Sequence, residues 1–288
     1  MTDTETFRAL ARSSPWLWTS VRFSRTTIRQ GERSRVQAWI RRPGMMRAEP
    51  DDAPAVVING ADESSGGRGT SMTMPARPGF LGKILGRGRA SELNQPTFRT
   101  PQDPLAPQPV WRADGLVAQR PGDLTVVYDD PMYQDYQWVA MLDPVELADG
   151  TEPDDAQSLT GGSSVDPSTL ASHPAAVDVI ELSETEHHGR PAIEALVLPT
   201  RAYSPRCSCC PLLFSAVSAA HMREEGAPLP PPLPVFAEAY RVKLDRHTGI
   251  CVSLRDIGGD RDGEGFEVVI GEVDAEYSET LFGAGSPP

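Results

Sequence analysis

The densest run of reactive side chains is Cys207-Ser-Cys209-Cys210, with Cys251 the one other cysteine in 288 residues. Zinc is held by four ligands in a tetrahedron, commonly supplied as spaced pairs such as C-x(2–4)-C. C-x-C-C is tighter than that, and no second C-x-x-C follows it. The spacing therefore predicts reduced loop thiols, with Cys207, Cys209, Cys210 and Cys251 as the metal candidates if there is a site at all. His187-His188 stand just before Gly189 and read as exposed turn histidines, while His221 and His247 stand alone. The stretch Asp256-Ile-Gly-Gly-Asp-Arg-Asp-Gly-Glu-Gly-Phe-Glu267 has the outline of a calcium loop, but Arg261 occupies the sharp-turn glycine position and Gly258 a ligand position. An acidic hairpin loop is the simpler reading. No G-x-S-x-G elbow, phosphate loop or G-x-G-x-x-G opening a helix occurs. The expectation is a non-enzymatic protein with no cofactor.

Composition narrows the partners. The net charge is −13, and nonspecific affinity for nucleic acid comes mainly from Lys and Arg neutralising phosphates. No nucleic-acid partner is expected. Ten arginines nevertheless fall in the first 50 residues, where they read as a solvated strand face. The start, Met1-Thr-Asp-Thr-Glu-Thr-Phe-Arg-Ala-Leu10, lacks the apolar run of a signal peptide. No stretch of ~18 apolar residues exists, so the chain is not expected to be an integral membrane protein. A cytoplasmic location is expected, with cysteines kept as thiols.

The elements that would position these residues are mostly strands. A short N-terminal helix is expected, capped by Thr4 with Phe7, Leu10 and Ala11 on one face. Residues 16–29 approach alternation through Trp16, Trp18, Val21, Phe23 and Ile28. Residues 34–41 alternate again, with Val36, Ala38 and Ile40 opposite Gln37, Trp39 and Arg41. The two stretches form a hairpin around Gln30-Gly31-Glu32-Arg33. Further strands are expected at 45–49, 53–59, 110–119, 123–129 and 136–142, and a short helix at 143–148 with Asp143 as cap. Two hairpins follow, 176–185 with 190–198 and 240–245 with 250–256, then a strand at 266–273. Stretch 203–235 reads as a Cys- and Pro-rich connection, with a helix within 211–224 and a stiff proline run at 228–234. Two Gly-, Ser- and Pro-rich stretches, 61–109 and 150–174, are expected as flexible insertions, and 276–288 as a disordered tail. The pattern predicts one α+β domain over residues 1–288, mostly β, built on an antiparallel sheet with a few short covering helices.

Four segments resemble a known superfamily. Val36-Gln-Ala-Trp-Ile-Arg-Arg-Pro-Gly-Met-Met-Arg-Ala-Glu49 resembles the strand, Arg-Pro, strand block of the periplasmic lipoprotein carrier (LolA-like) superfamily. Trp111-Arg-Ala-Asp-Gly115 followed by Leu124-Thr-Val-Val-Tyr-Asp129 resembles its next hairpin. His188-Gly-Arg-Pro-Ala-Ile-Glu194 and Val242-Lys-Leu-Asp-Arg-His-Thr-Gly249 resemble strand starts of the related anti-sigma-factor regulators (RseB-like). The likeness spreads over about 140 residues in pieces. It implies a strongly curved half-barrel, covered by helices, whose groove binds acyl chains. The Arg before Pro, Arg42 here, would sit near the groove mouth and offer donors to carbonyl or phosphate groups. The groove would be lined by Trp18, Val21, Phe23, Trp39, Met45, Val126, Tyr128 and Trp138. The functional expectation is a protein that holds a lipid-like or acyl ligand, or a partner segment, in that groove. The alternative is an interaction or regulatory module whose groove is filled by its own side chains.

Overall fold

A computed structural model describes residues 2–59, 99–122, 126–151 and 173–283. The helix α1, Thr4–Leu17, opens on Asp3, whose carboxylate accepts from the Thr6 N–H at 2.7 Å. Asp3, not Thr4, is thus the cap. It satisfies one of the orphan donors at a helix start. The helix runs further than the sequence suggests and takes in Pro15 near its end. Proline removes a helical N–H and crowds the carbonyl four residues back. Trp16 and Leu17 close α1, and Trp18 is already extended. The expected strand at 16–29 therefore begins only at Ser20. What looked like strand alternation at Trp16 and Trp18 is a helix end followed by a bend, where the Trp18 indole donates back to Ser14 Oγ at 3.1 Å.

The strands follow as β1 (Ser20–Arg29), β2 (Glu32–Arg41), β3 (Met45–Pro50) and β4 (Val56–Asn59). In β2, Val36, Ala38 and Ile40 are buried while Gln37, Trp39 and Arg41 are half-exposed, as a period of two requires. After a small separate hairpin of β5 (Val110–Trp111) and β6 (Val117–Gln119) come β7 (Val177–His187), β8 (Arg190–Pro199), β9 (Ala239–Asp245), β10 (Cys251–Ile257) and β11 (Gly265–Val273). Nine strands form one antiparallel sheet in the order β4-β3-β2-β1-β11-β10-β9-β8-β7. Its ends are not joined. The β1–β11 pairing, Val21↔Val273 through Ile28↔Gly265, joins the two ends of the chain in its middle.

The sheet curls. Four strand spacings separate β7 from β11, or ~19 Å across a flat sheet. Yet His187 Nε2 at the end of β7 lies 2.8 Å from the Val268 carbonyl of β11. One face is packed under α1 and under α2 (Tyr136–Leu142). Phe7 and Leu10 from α1 and Trp138, Met141 and Leu142 from α2 join the inward side chains of the sheet in one apolar cluster.

Several expected elements change type. Residues 136–142 are the helix α2, not a strand. Asp135 caps it by accepting from Gln137 N–H, and Trp138 through Leu142 are all buried. After Gln137 the run is continuously apolar, and so short an apolar run carries no period to tell the two apart. The expected strand at 110–119 is two strands, and the turn lies at Arg112–Leu116, where Gly115 takes φ +80°. Of 123–129, residues 123–125 fall outside the described set, and Val126 makes one parallel bridge to Arg99. The turn at Val145–Leu147 is 3-10 and has no side-chain cap, because the Asp143 carboxylate is engaged by two arginines. The helix expected within 211–224 is α3, Ala216–Glu224, with a capping box between Ser215 and Ser218. The insertions at 61–109 and 150–174 lie largely outside the described residues. The tail is not wholly unstructured: α4 (Glu279–Phe282) buries Phe282, and the Arg41 guanidinium lies 5.0 Å from its ring centroid.

Candidate functional site

Segment 126–130 crosses the surface beside the end of α1 and is fixed at both ends. At one end Val127 N–H donates to Arg99 C=O at 2.8 Å. At the other, Asp130 accepts both forks of Arg42, at 2.8 and 2.7 Å. The same guanidinium donates to the carbonyls of Ser14 (2.8 Å) and Trp18 (3.1 Å) and stacks 3.3 Å from the Trp18 ring centroid. Both side chains are under 5% exposed. Arg42 therefore ties the β2–β3 turn to α1 and to segment 126–130. It does not stand free at a mouth.

A second ion cluster lies beneath. Asp143, fully buried, accepts from Arg120 and from Arg206, and Arg206 also meets Asp129. Burial pushes the Asp143 carboxyl up, but the two guanidiniums outweigh it and hold it below the usual range. Burial likewise works against the Arg206 charge, and Asp143 and Asp129 restore it. Three arginines (Arg42, Arg120, Arg206) thus face three aspartates (Asp129, Asp130, Asp143), and the charges balance. Close by, Tyr203 O–H donates to Glu146 at 2.6 Å. Burial raises the Glu146 carboxyl to about 7, against the opposing pull of Tyr203 and Arg206.

Above this frame stands an aromatic wall. Trp16, at the end of α1, meets Trp111 of β5 edge-on at 6.1 Å between centroids and Tyr128 at 5.7 Å. The Arg120 guanidinium lies 4.9 Å from the Tyr128 centroid. Trp111 is 45% exposed and Val127 42%. Trp16 Nε1–H is buried and has no acceptor among the described residues. Two clefts flank the segment and share Val127, Tyr128 and Asp129. One, of about 250 Å³, is closed by Pro15, Pro43 and Pro101 with Arg42 and Asp130 in its wall. The other, of about 560 Å³ and more open, is lined by Pro121, Val126, Tyr136, Val145, Arg120 and Arg206 among others.

The residues expected to line one groove separate into three groups. Trp18, Val21, Phe23 and Trp138 are core, each no more than 2% exposed, with the Phe23 and Trp138 rings 5.9 Å apart. They fill the inner face of the sheet instead of lining an open channel. Trp39 and Met45 project from the opposite face, where the Arg41 guanidinium meets the Met45 sulfur at 2.9 Å. Arg42, Val126 and Tyr128 do reach the clefts. Trp16, Trp111, Val127 and the three prolines complete the site. The sequence signal for them is faint: Trp111 lies in a segment that carries the family resemblance, but the alternation around Trp16 predicts a strand.

Two other clusters hold chemistry-bearing groups. Cys207, Cys209 and Cys210 gather, with sulfurs 2.8 Å apart for the first pair and 3.6 Å for the second, while Cys251 is buried alone in β10. His187, His188 and Glu267 have ligand atoms within 4.8 Å of one another. His187 is buried, not an exposed turn residue, because its ring bonds the Val268 carbonyl. Burial lowers its pKa, with that bond opposing. His188 meets Glu267 at 3.2 Å, and Glu267 also pairs with Arg255. This closes the curl of the sheet. The expected acidic hairpin loop between β10 and β11 is present, with Asp262 accepting from the Gly258 N–H at 2.7 Å.

No family model matches the chain, and no curated protein does. Among solved structures, a chain in the complex of Pseudomonas aeruginosa MucA and MucB aligns with 97% of this chain at 15% identity, with a TM-score of 0.35. The alignment spans 60% of that chain's length. The similarity is distant and transfers no function. No helix among the described residues is long and apolar enough to cross a membrane.

Proposed function

We propose that this chain is a non-enzymatic binding protein that holds a short apolar segment of a protein partner along the paired clefts beside Tyr128. The observation that carries the reading is the aromatic wall of half-buried Trp16 and exposed Trp111 over segment 126–130, set on a charge-balanced floor. Contiguous apolar surface of this kind marks interaction sites in soluble proteins. Among the described residues the three arginines at the clefts are each matched by an aspartate, which favours a neutral, apolar occupant over a phosphate. Among the described residues the inner face is filled by packed side chains such as Trp18, Phe23 and Trp138, which speaks against an acyl channel there. The self-filled interaction module is therefore favoured over the carrier.

A lipid-like ligand is the second reading, and the size of the larger cleft, about 560 Å³, speaks for it. Two experiments decide. Native mass spectrometry of the purified chain reports co-purified lipid. Selection of random peptides on the full chain, counter-selected with Val127→Asp, reports segment binding. Apolar and aromatic peptides that lose at least about tenfold in affinity on Val127→Asp, ~1.4 kcal/mol, support the proposal. Stoichiometric lipid with no selected peptide supports the second reading. If no peptide is selected and no lipid co-purifies, both readings fail.

A further inference from the structure

The strongest unassigned chemistry is at Cys207-Ser-Cys209-Cys210, away from the cleft residues in role. The three sulfurs lie within 4.8 Å of one another, with Cys209 exposed and the other two half-buried. The loop carrying them is pinned on both sides. On one side Arg206 is locked to Asp143 and Asp129. On the other, Leu212 and Leu213 are buried, and Leu213 N–H donates to Tyr203 Oη at 2.9 Å. Between them Ser208 Oγ donates to Glu225. The thiols therefore converge because their loop is held, not because it is free to sample. The Arg206 charge is spent on two aspartates.

We propose that Cys207, Cys209 and Cys210 form a three-thiolate site for a thiophilic d10 metal ion, Cu(I) in preference to Zn(II). Metal–sulfur bonds of ~2.3 Å place the sulfurs of a trigonal three-thiolate ion about 4 Å apart. The observed separations of 2.8 Å (Cys207–Cys209) and 3.6 Å (Cys209–Cys210) are shorter, so an entering ion has to spread the sulfurs, the first pair by about 1 Å, inside a cluster that already holds all three within 4.8 Å. Soft thiolates select Cu(I) and Zn(II) over harder ions. Zinc wants a fourth ligand, and among the described residues none joins the cluster. Cu(I) is satisfied by three sulfurs, and binding releases the thiol protons to solvent. The sequence spacing argues against zinc because C-x-C-C is tighter than the usual pairs and supplies no fourth ligand. Three sulfurs around an open coordination sphere relax that objection. The competing arrangement is a Cys207–Cys209 disulfide, whose bond of about 2.05 Å is well short of the observed 2.8 Å.

The test uses the full chain, fully reduced and kept anaerobic. Cu(I) is titrated in competition with a coloured Cu(I) chelator, and Zn(II) is run in a parallel arm. The proposal expects one Cu(I) per chain, with weaker 1:1 Zn(II) binding. Cys207→Ser and Cys209→Ser should each weaken Cu(I) by more than about 100-fold, beyond the cost of an outer-shell change. Cys251→Ser should leave the stoichiometry unchanged. Alkylation of the wild-type thiols, followed by mass spectrometry, gives a readout independent of the variants: Cu(I) should protect all three clustered cysteines. No bound Cu(I), affinity unchanged in both serine variants, or unprotected thiols overturns the proposal.

Discussion

Glu146→Gln should stabilise the protein at neutral and alkaline pH and leave it unchanged in mild acid. Glu146 is fully buried beside Tyr203, and burial raises its carboxyl to about 7. The unfolded chain titrates near ~4.3. Between those values the folded state holds a proton that the unfolded state has lost, so stability falls as pH rises through the window. A shift of roughly 2.7 units at ~1.4 kcal/mol each makes the charged form cost about 3–4 kcal/mol above pH ~7. Glutamine keeps an acceptor for the Tyr203 hydroxyl and never ionises. Urea unfolding followed by tryptophan fluorescence should give nearly equal stabilities for variant and wild type near pH ~4, and a variant more stable by about 3–4 kcal/mol near pH ~8. Asp256, also raised to about 7 by burial, titrates in the same window, but it is present in both proteins and cancels from the difference. A difference that does not change with pH would refute the reasoning. So would a variant less stable near pH ~8, since that would mean the Glu146 charge serves Arg206 more than it suffers from burial.

Asp130→Asn leaves the buried Arg42 guanidinium without its carboxylate and should cost ~3–5 kcal/mol in the same assay. The matching double substitution Arg42→Met with Asp130→Leu should recover most of that loss. Gly249→Ala should cost at least ~1 kcal/mol, because this residue sits at φ +69° and a Cβ there would lie 2.8 Å from the Leu10 carbonyl of α1. On the acid side, Asp143 and Asp245 are held below the usual range, against burial, by their arginine partners and, for Asp245, by Thr248 as well. Their stabilisation is complete above ~3.9 and is lost as pH falls through the lowered folded values, so acid unfolding should shift to higher pH in Arg190→Met.

The strands of the large sheet were legible because a period of two survives in them, from Val36-Gln-Ala-Trp-Ile40 to Tyr240-Arg-Val-Lys-Leu244. The helices were harder for opposite reasons. Residues 138–142 are continuously apolar and carry no period, while Pro15 hid the end of α1. The site was only partly legible. Arg42 and Tyr128 reach it, but sequence cannot tell that the Arg42 charge is already matched 88 residues away by Asp130. Nor does it reveal that a helix end, a short hairpin and segment 126–130 bring Trp16, Trp111 and Tyr128 together. Those contacts depend on the path of the chain, not on local pattern.

The central claim is that the protein binds through this wall and not through the sheet's inner or outer face. The five tryptophans sample all three places: Trp16 and Trp111 at the clefts, Trp18 and Trp138 in the core, Trp39 on the opposite face. The direct measurement is an indole ¹⁵N–¹H spectrum of the full chain titrated with a selected apolar peptide. The Trp16 and Trp111 resonances should move together and saturate with one affinity, Trp16 most, because its buried N–H has no acceptor among the described residues. Movement centred on Trp39, or on Trp18 and Trp138 with Trp111 unmoved, would contradict the account.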